Sequence, residues 1–115
     1  MTQQYVTSEG QFLVANVDTA ASGDVALIAG VTGKIIKVWY YDLQTAAAGN
    51  YIFKDGSTAF TGLLTFAGNA TMSFAAPGGR IPLPMSVAAN FTINKSNTAQ
   101  LSGFVIYTID AVGDE

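Results

Sequence analysis

Apolar and polar side chains alternate along most of this 115-residue chain with a period near two, not 3.6. The last such segment is the clearest. Leu101, Gly103, Val105, Tyr107 and Ile109 fall on one face of a strand, while Ser102, Phe104, Ile106 and Thr108 fall on the other. Phe91 and Ile93 alternate in the same way with Thr92 and Asn94. Segments of this kind predict strands over 11–17, 24–29, 34–44, 49–54, 58–66, 70–76, 88–94 and 101–110. Turn chemistry separates them, as in "ASGD" (21–24), "GVTG" (30–33), "PGGR" (77–80) and "NKSN" (94–97). Asp55-Gly56 is a hairpin signal, because Gly accepts the positive φ that tight hairpin turns demand. "TAAAG" (45–49) is too short to nucleate a helix alone. About eight short strands with Gly-rich turns predict an all-β, single-domain antiparallel β-sandwich or barrel.

The segment "KVWYYDL" (37–43) strains that pattern, since apolar residues fill both of its faces. Strict alternation puts Ile35, Lys37, Trp39, Tyr41 and Leu43 on one face, and Lys34, Ile36, Val38, Tyr40 and Asp42 on the other. If Ile36, Val38 and Tyr40 pack inward, Trp39 and Tyr41 point away from the core. An exposed Trp39–Tyr41–Leu43 stripe would present about 400 Å² of mostly apolar surface, at ~150–250 Å² for each large aromatic. That is near the largest patch an ordinary monomer shows. Burying it contributes up to ~10 kcal/mol at ~25 cal/mol/Å², before the entropy of association is subtracted. A partner chain is therefore expected on that face. A β-bulge inside the strand would instead send Tyr40 or Tyr41 to the opposite face and remove the need for a partner. Elsewhere, Pro82 and Pro84 in "RIPLPM" (80–85) cannot donate ladder hydrogen bonds, which assigns them to an edge or a connecting arm. Residues 1–10 read as a polar N-terminal arm ahead of a sandwich domain at 11–115. Apart from Met1, Tyr5 and Val6 are the arm's only sizeable apolar side chains.

Composition sharpens this picture. Half of the residues are hydrophobic but only 11% are charged, against roughly 25% in an average soluble domain. A surface of Thr, Ser, Asn and Gln repels itself weakly and suits a chain packed in an assembly. The net charge is −3, and its five cations, Lys34, Lys37, Lys54, Arg80 and Lys95, are scattered. Without a basic track there is no expectation of nucleic-acid binding. The longest apolar runs, such as "VALIAGV" (25–31), fall far short of the roughly 18 residues of a membrane span, so no membrane partner is expected. "MTQQYVTSEGQ" lacks the basic and apolar regions of a signal peptide, and synthesis in a cytoplasm is the expectation.

Catalytic chemistry is hard to assemble from these residues. The chain has no histidine and no cysteine, which removes the usual general base, the commonest metal ligand and any thiolate nucleophile. Asp18, Asp24, Asp42, Asp55 and Asp110 fall at predicted strand ends or turns, without calcium-loop spacing. They read as turn and capping groups rather than as a glycosidase pair. No catalytic residue, cofactor or metal is expected. The aromatic residues admit a second reading, in which Trp39, Tyr40, Tyr41, Tyr51 and Phe53 line a carbohydrate platform.

Three blocks carry a family resemblance. They are "ALIAGVTGKIIKV" (26–38), "GNYIFKDGSTAFTG" (49–62) and "LSGFVIYTID" (101–110), with Gly103 and Tyr107 in the closing strand. From about Asp24 to Ile109 the chain resembles the small capsid decoration, or cement, proteins of tailed bacteriophages. The resemblance implies a jelly-roll-like β-sandwich that acts as a homotrimer on the capsid exterior of a virion made in a bacterial cytoplasm. There it would clamp neighbouring copies of the major capsid protein. Phage tail, neck and fibre proteins use similar sandwiches and remain an alternative, as does a carbohydrate-binding module. The expected partner interface comprises Trp39, Tyr41, Phe104 and Ile106, with Tyr5 of the arm and Pro82 and Pro84 as further contacts.

Overall fold

The computed structural model describes residues 11–112. The arm at 1–10, and with it Tyr5, lies outside the described residues, as do residues 113–115. Among the described residues ten strands follow one another: β1 (Leu13–Thr19), β2 (Gly23–Ile28), β3 (Lys34–Thr45), β4 (Gly49–Asp55), β5 (Thr58–Ala59), β6 (Leu64–Phe66), β7 (Ala70–Ala75), β8 (Leu83–Pro84), β9 (Phe91–Lys95) and β10 (Leu101–Ala111). Their pairing is nested and antiparallel throughout. β1 pairs with β10, β2 with β9, β3 with β7 and β8, and β4 with β5 and β6. Cross-pairs β10–β3 and β9–β4 complete two five-stranded sheets. One runs β1-β10-β3-β7 with β8 also on β3, and the other runs β2-β9-β4-β5 with β6 also on β4. A long hairpin rolled into two sheets in this way is a jelly-roll β-sandwich, as expected.

Eight expected strands become ten for local reasons. The expected strand at 58–66 divides because the Thr61 hydroxyl, and not a backbone carbonyl, accepts the Phe53 N–H at 3.1 Å. The chain thus leaves the ladder at Thr61 and rejoins β4 at Leu64. Leu83–Pro84 pairs with Lys37–Val38 at the edge of β3, an edge position that suits prolines. The expected strand at 88–94 starts only at Phe91. Ala88 is in a positive-φ turn (φ 63°), closed by the Ala89 N–H donating to the Ser86 carbonyl.

The two sheets meet in an apolar core. Val17, Ile36, Val38, Leu43, Leu101 and Val105 come from one sheet, and Ile28, Tyr51, Phe53, Phe91 and Ile93 from the other. Close passage of β10 past β3 needs Gly103: with φ at 142°, a Cβ there would stand 2.0 Å from the Asp42 carbonyl oxygen.

Strict alternation fails in β3, and this settles "KVWYYDL". Ile106 pairs with Tyr40 and Tyr107 with Val38, so Trp39 is an extra residue, a β-bulge. Ile36 and Val38 point inward as expected, but beyond the bulge the inward set becomes Tyr41, Leu43 and Thr45. Tyr41 packs on Phe53 and Phe91, with ring centroids 4.9 and 6.2 Å away. Tyr40 stacks on Phe104 at 5.6 Å, on the outer side. The expected faces of Tyr40 and Tyr41 are therefore exchanged, because one inserted residue rotates the rest of the strand by half a period.

A candidate interaction face on the outer side of one sheet

Cross-strand register builds the outer face of the β1-β10-β3-β7 sheet row by row. Val14, Ile106, Tyr40 and Ala75 lie directly side by side across all four strands. The neighbouring row holds Asn16, Phe104, Asp42 and Ser73. Val14 is 67% exposed, and Ile106, Tyr40 and Phe104 are each partly exposed. Large apolar side chains in adjacent cross-strand positions form one patch, because such neighbours stand only about 4.5–5.5 Å apart. Phe12 and Leu13 continue the exposed apolar run of Val14 at the edge of the sheet.

Trp39 closes the patch at one end. Its indole N–H donates to the Thr108 hydroxyl at 3.0 Å, and Phe12 meets its ring edge-on at 5.5 Å. Beyond Thr108, Lys37 forms a 3.0 Å ion pair with Asp110, whose carboxylate is nearly fully buried and keeps one oxygen without a hydrogen bond. A cleft of about 600 Å³ opens beside Trp39, lined also by Phe12, Ala75, Ala76 and the Gly78–Arg80 turn.

The outer face of the second sheet is built differently. Its rows are Asp24–Asn94–Ile52 and Ala26–Thr92–Lys54. Asp24 accepts from Asn94 at 2.7 Å and pairs with Lys54 at 3.0 Å. Those contacts, the Asn94 amide first, hold its carboxyl below the ordinary carboxylate value. Nearby, Asn50 accepts from Thr65, and Asp55 accepts from the Ser86 backbone N–H and hydroxyl. Inside the sandwich, burial raises the Tyr41 phenol and lowers the Lys95 ammonium from their ordinary values. The Lys95 ammonium donates to the carbonyls of Ala99 and Thr19.

Of the residues expected at an interface, Trp39, Phe104 and Ile106 share this outer face. Tyr41 lies on the core side, and Pro82 and Pro84 lie at or near the β8 edge, away from the Ile106 row. Val14 and Tyr40 belong to the patch as well. Val14 lies outside the expected set, though the adjacent apolar Leu13 and Val14 signal it, and Tyr40 arrives through the bulge that the sequence left open for this strand. Among the described residues no cluster of three metal-ligating side chains occurs, and no helix is long and apolar enough to cross a membrane.

Fold and face together define a class: a jelly-roll sandwich with one polar outer sheet face and one apolar outer sheet face. Compared with known proteins, the chain matches no family model, no curated protein and no solved structure.

Proposed function

We propose that this is a structural assembly protein that uses the apolar outer face of the β1-β10-β3-β7 sheet to bind other protein chains. Its resemblance to phage capsid decoration proteins makes the concrete form a homotrimer on the capsid exterior, where it clamps neighbouring major capsid proteins. A tail or neck position in the virion is the nearest alternative. The supporting observation is the row Val14–Ile106–Tyr40, flanked by Phe104, which the chain's own core does not use. Burial of apolar area is the main driving force for association, and this face offers it where the other does not. Trp39 sits at the margin of the contact, whereas Tyr41 contributes to the subunit core.

Sedimentation equilibrium of the purified full chain tests this. A trimer is expected, and Ile106→Lys should reduce it to a folded monomer with unchanged circular dichroism. A strict monomer that also fails to bind preformed capsid shells overturns the assignment.

A further inference from the structure

The cleft beside Trp39 has features that the assembly role does not use. Its indole is held on two sides, by the Thr108 hydroxyl at its N–H and by Phe12 against its ring. With the N–H engaged, the ring lines the cleft as an aromatic surface without a free donor. Arg80 lines the same cleft, and its guanidinium has no ion-pair or hydrogen-bond partner among the described residues. The other four cations all have one, since Lys54 and Lys37 pair with carboxylates, Lys95 donates to carbonyls, and Lys34 is also engaged. Gly78 and Gly79 leave the turn without side chains, and a Cβ at either would meet nothing within 4 Å.

Three backbone donors at the rim are occupied too. The Ala76 N–H donates to the Trp39 carbonyl, the Gly79 N–H to that of Ala76 and the Arg80 N–H to that of Pro77. An extended peptide adds to a sheet edge through such donors, and these three are taken. What remains is an aromatic platform, one guanidinium and about 600 Å³ of open space, within the roughly 300–1,000 Å³ range of small-molecule sites. A single guanidinium matches a carboxylate through two parallel hydrogen bonds. The net charge of −3 disfavours a group that concentrates two negative charges at one point, as a phosphate monoester does, over a sugar with one carboxylate per ring.

We propose that this cleft binds an acidic sugar, a hexuronate unit, with the pyranose ring stacked on Trp39 and its carboxylate paired with Arg80. The cleft adjoins the Val14–Ile106–Tyr40–Ala75 row and shares Ala75 with it, and the proposal rests on an assembly contact centred on Ile106 that leaves Trp39 and Arg80 at its margin.

Because Trp39 is the only tryptophan, its fluorescence reports the site directly. The full chain is titrated with trigalacturonate, with its methyl ester and with guanosine monophosphate, while sedimentation follows the oligomeric state of the same samples. A saturable change with trigalacturonate is expected, at least tenfold weaker for the ester. Arg80→Gln should weaken the acid at least tenfold and leave the ester unchanged. Ala76→Phe, which fills the cleft from a half-buried position on its wall, should abolish both. No saturable binding of trigalacturonate, equal affinity for acid and ester, or tighter binding of the nucleotide would each overturn the assignment. None of these outcomes alters the oligomeric state that the assembly function predicts.

Discussion

The two outer faces of the sandwich solve the same problem in opposite ways. On the β2-β9-β4 side, Asp24, Asn94 and Lys54 satisfy one another, as do Asn50 and Thr65. Such a face gains little from a partner, because its polar groups would exchange one set of hydrogen bonds for another. On the β1-β10-β3-β7 side, Val14, Ile106, Tyr40 and Phe104 lie against one another and outside the core of the described residues. Apolar area left in water gains free energy from any well-fitting cover. Within one small jelly roll, one outer face is filled with paired polar groups and the other keeps apolar side chains outside the core.

The sharpest way to break this comparison is to exchange the roles of Tyr40 and Tyr41. Tyr41→Ala removes a ring packed on Phe53 and Phe91, and should cost about 2–4 kcal/mol in urea unfolding, as large-to-small core changes do. Tyr40→Ala should cost the isolated subunit well under 1.5 kcal/mol, yet weaken self-association measurably by sedimentation. Equal effects on subunit stability would place the bulge elsewhere in β3.

Gly103→Ala should cost about 2–4 kcal/mol, combining positive-φ strain with the overlap against Asp42. Because β10 carries the centre of the apolar face, this variant should also loosen assembly, seen as monomer in light scattering. A comparable change on the polar face sharpens the contrast. Ile52→Lys, beside Asn94, should leave the oligomeric state as it is, whereas Ile106→Lys disrupts it.

Proton linkage gives the smaller effects. Lys95 has a folded pKa below its unfolded value, so the unfolded chain binds more protons and stability rises with pH between the two values. The melting-temperature difference between the wild type and Lys95→Met should therefore move in favour of the wild type as pH climbs toward 10.5. Tyr41 acts in the opposite sense. Its raised folded pKa means that stability is lost once pH passes the ordinary phenol value of 10.0. The smallest effect belongs to the polar face. Asp24, with a lowered pKa, contributes above its ordinary value of 3.8, and the contribution fades as pH falls through the lower folded value. Asp24→Asn should melt slightly below the wild type at pH 7 in calorimetry. The difference should vanish in acid and shrink in high salt, since the group is exposed.

Much of this architecture is legible in the chain itself. Period-two alternation in β9 and β10, together with Gly and Asn at the breaks, implies antiparallel strands whose inner faces carry Phe91, Ile93, Leu101 and Val105. Pro84 marks an edge, because it lacks the donor that an inner strand needs. Gly56 marks the β4–β5 turn, where φ is 64°. These features follow from properties of single residues and their immediate neighbours, which any sequence carries in full.

Tertiary structure alone decided which aromatic side chains face outward. A bulge is a relation between two strands. Trp39 is an extra residue only because Ile106 and Tyr107 pair on either side of it, some 67 positions further along the chain. That pairing sends Tyr41 into the core, brings Tyr40 onto Phe104, and aligns Val14, Ile106 and Tyr40 in one row. Likewise, only the fold brings Arg80 and Trp39 to one cleft. Alternation records which side chains share a face of a regular strand, but the register between distant strands determines which faces meet.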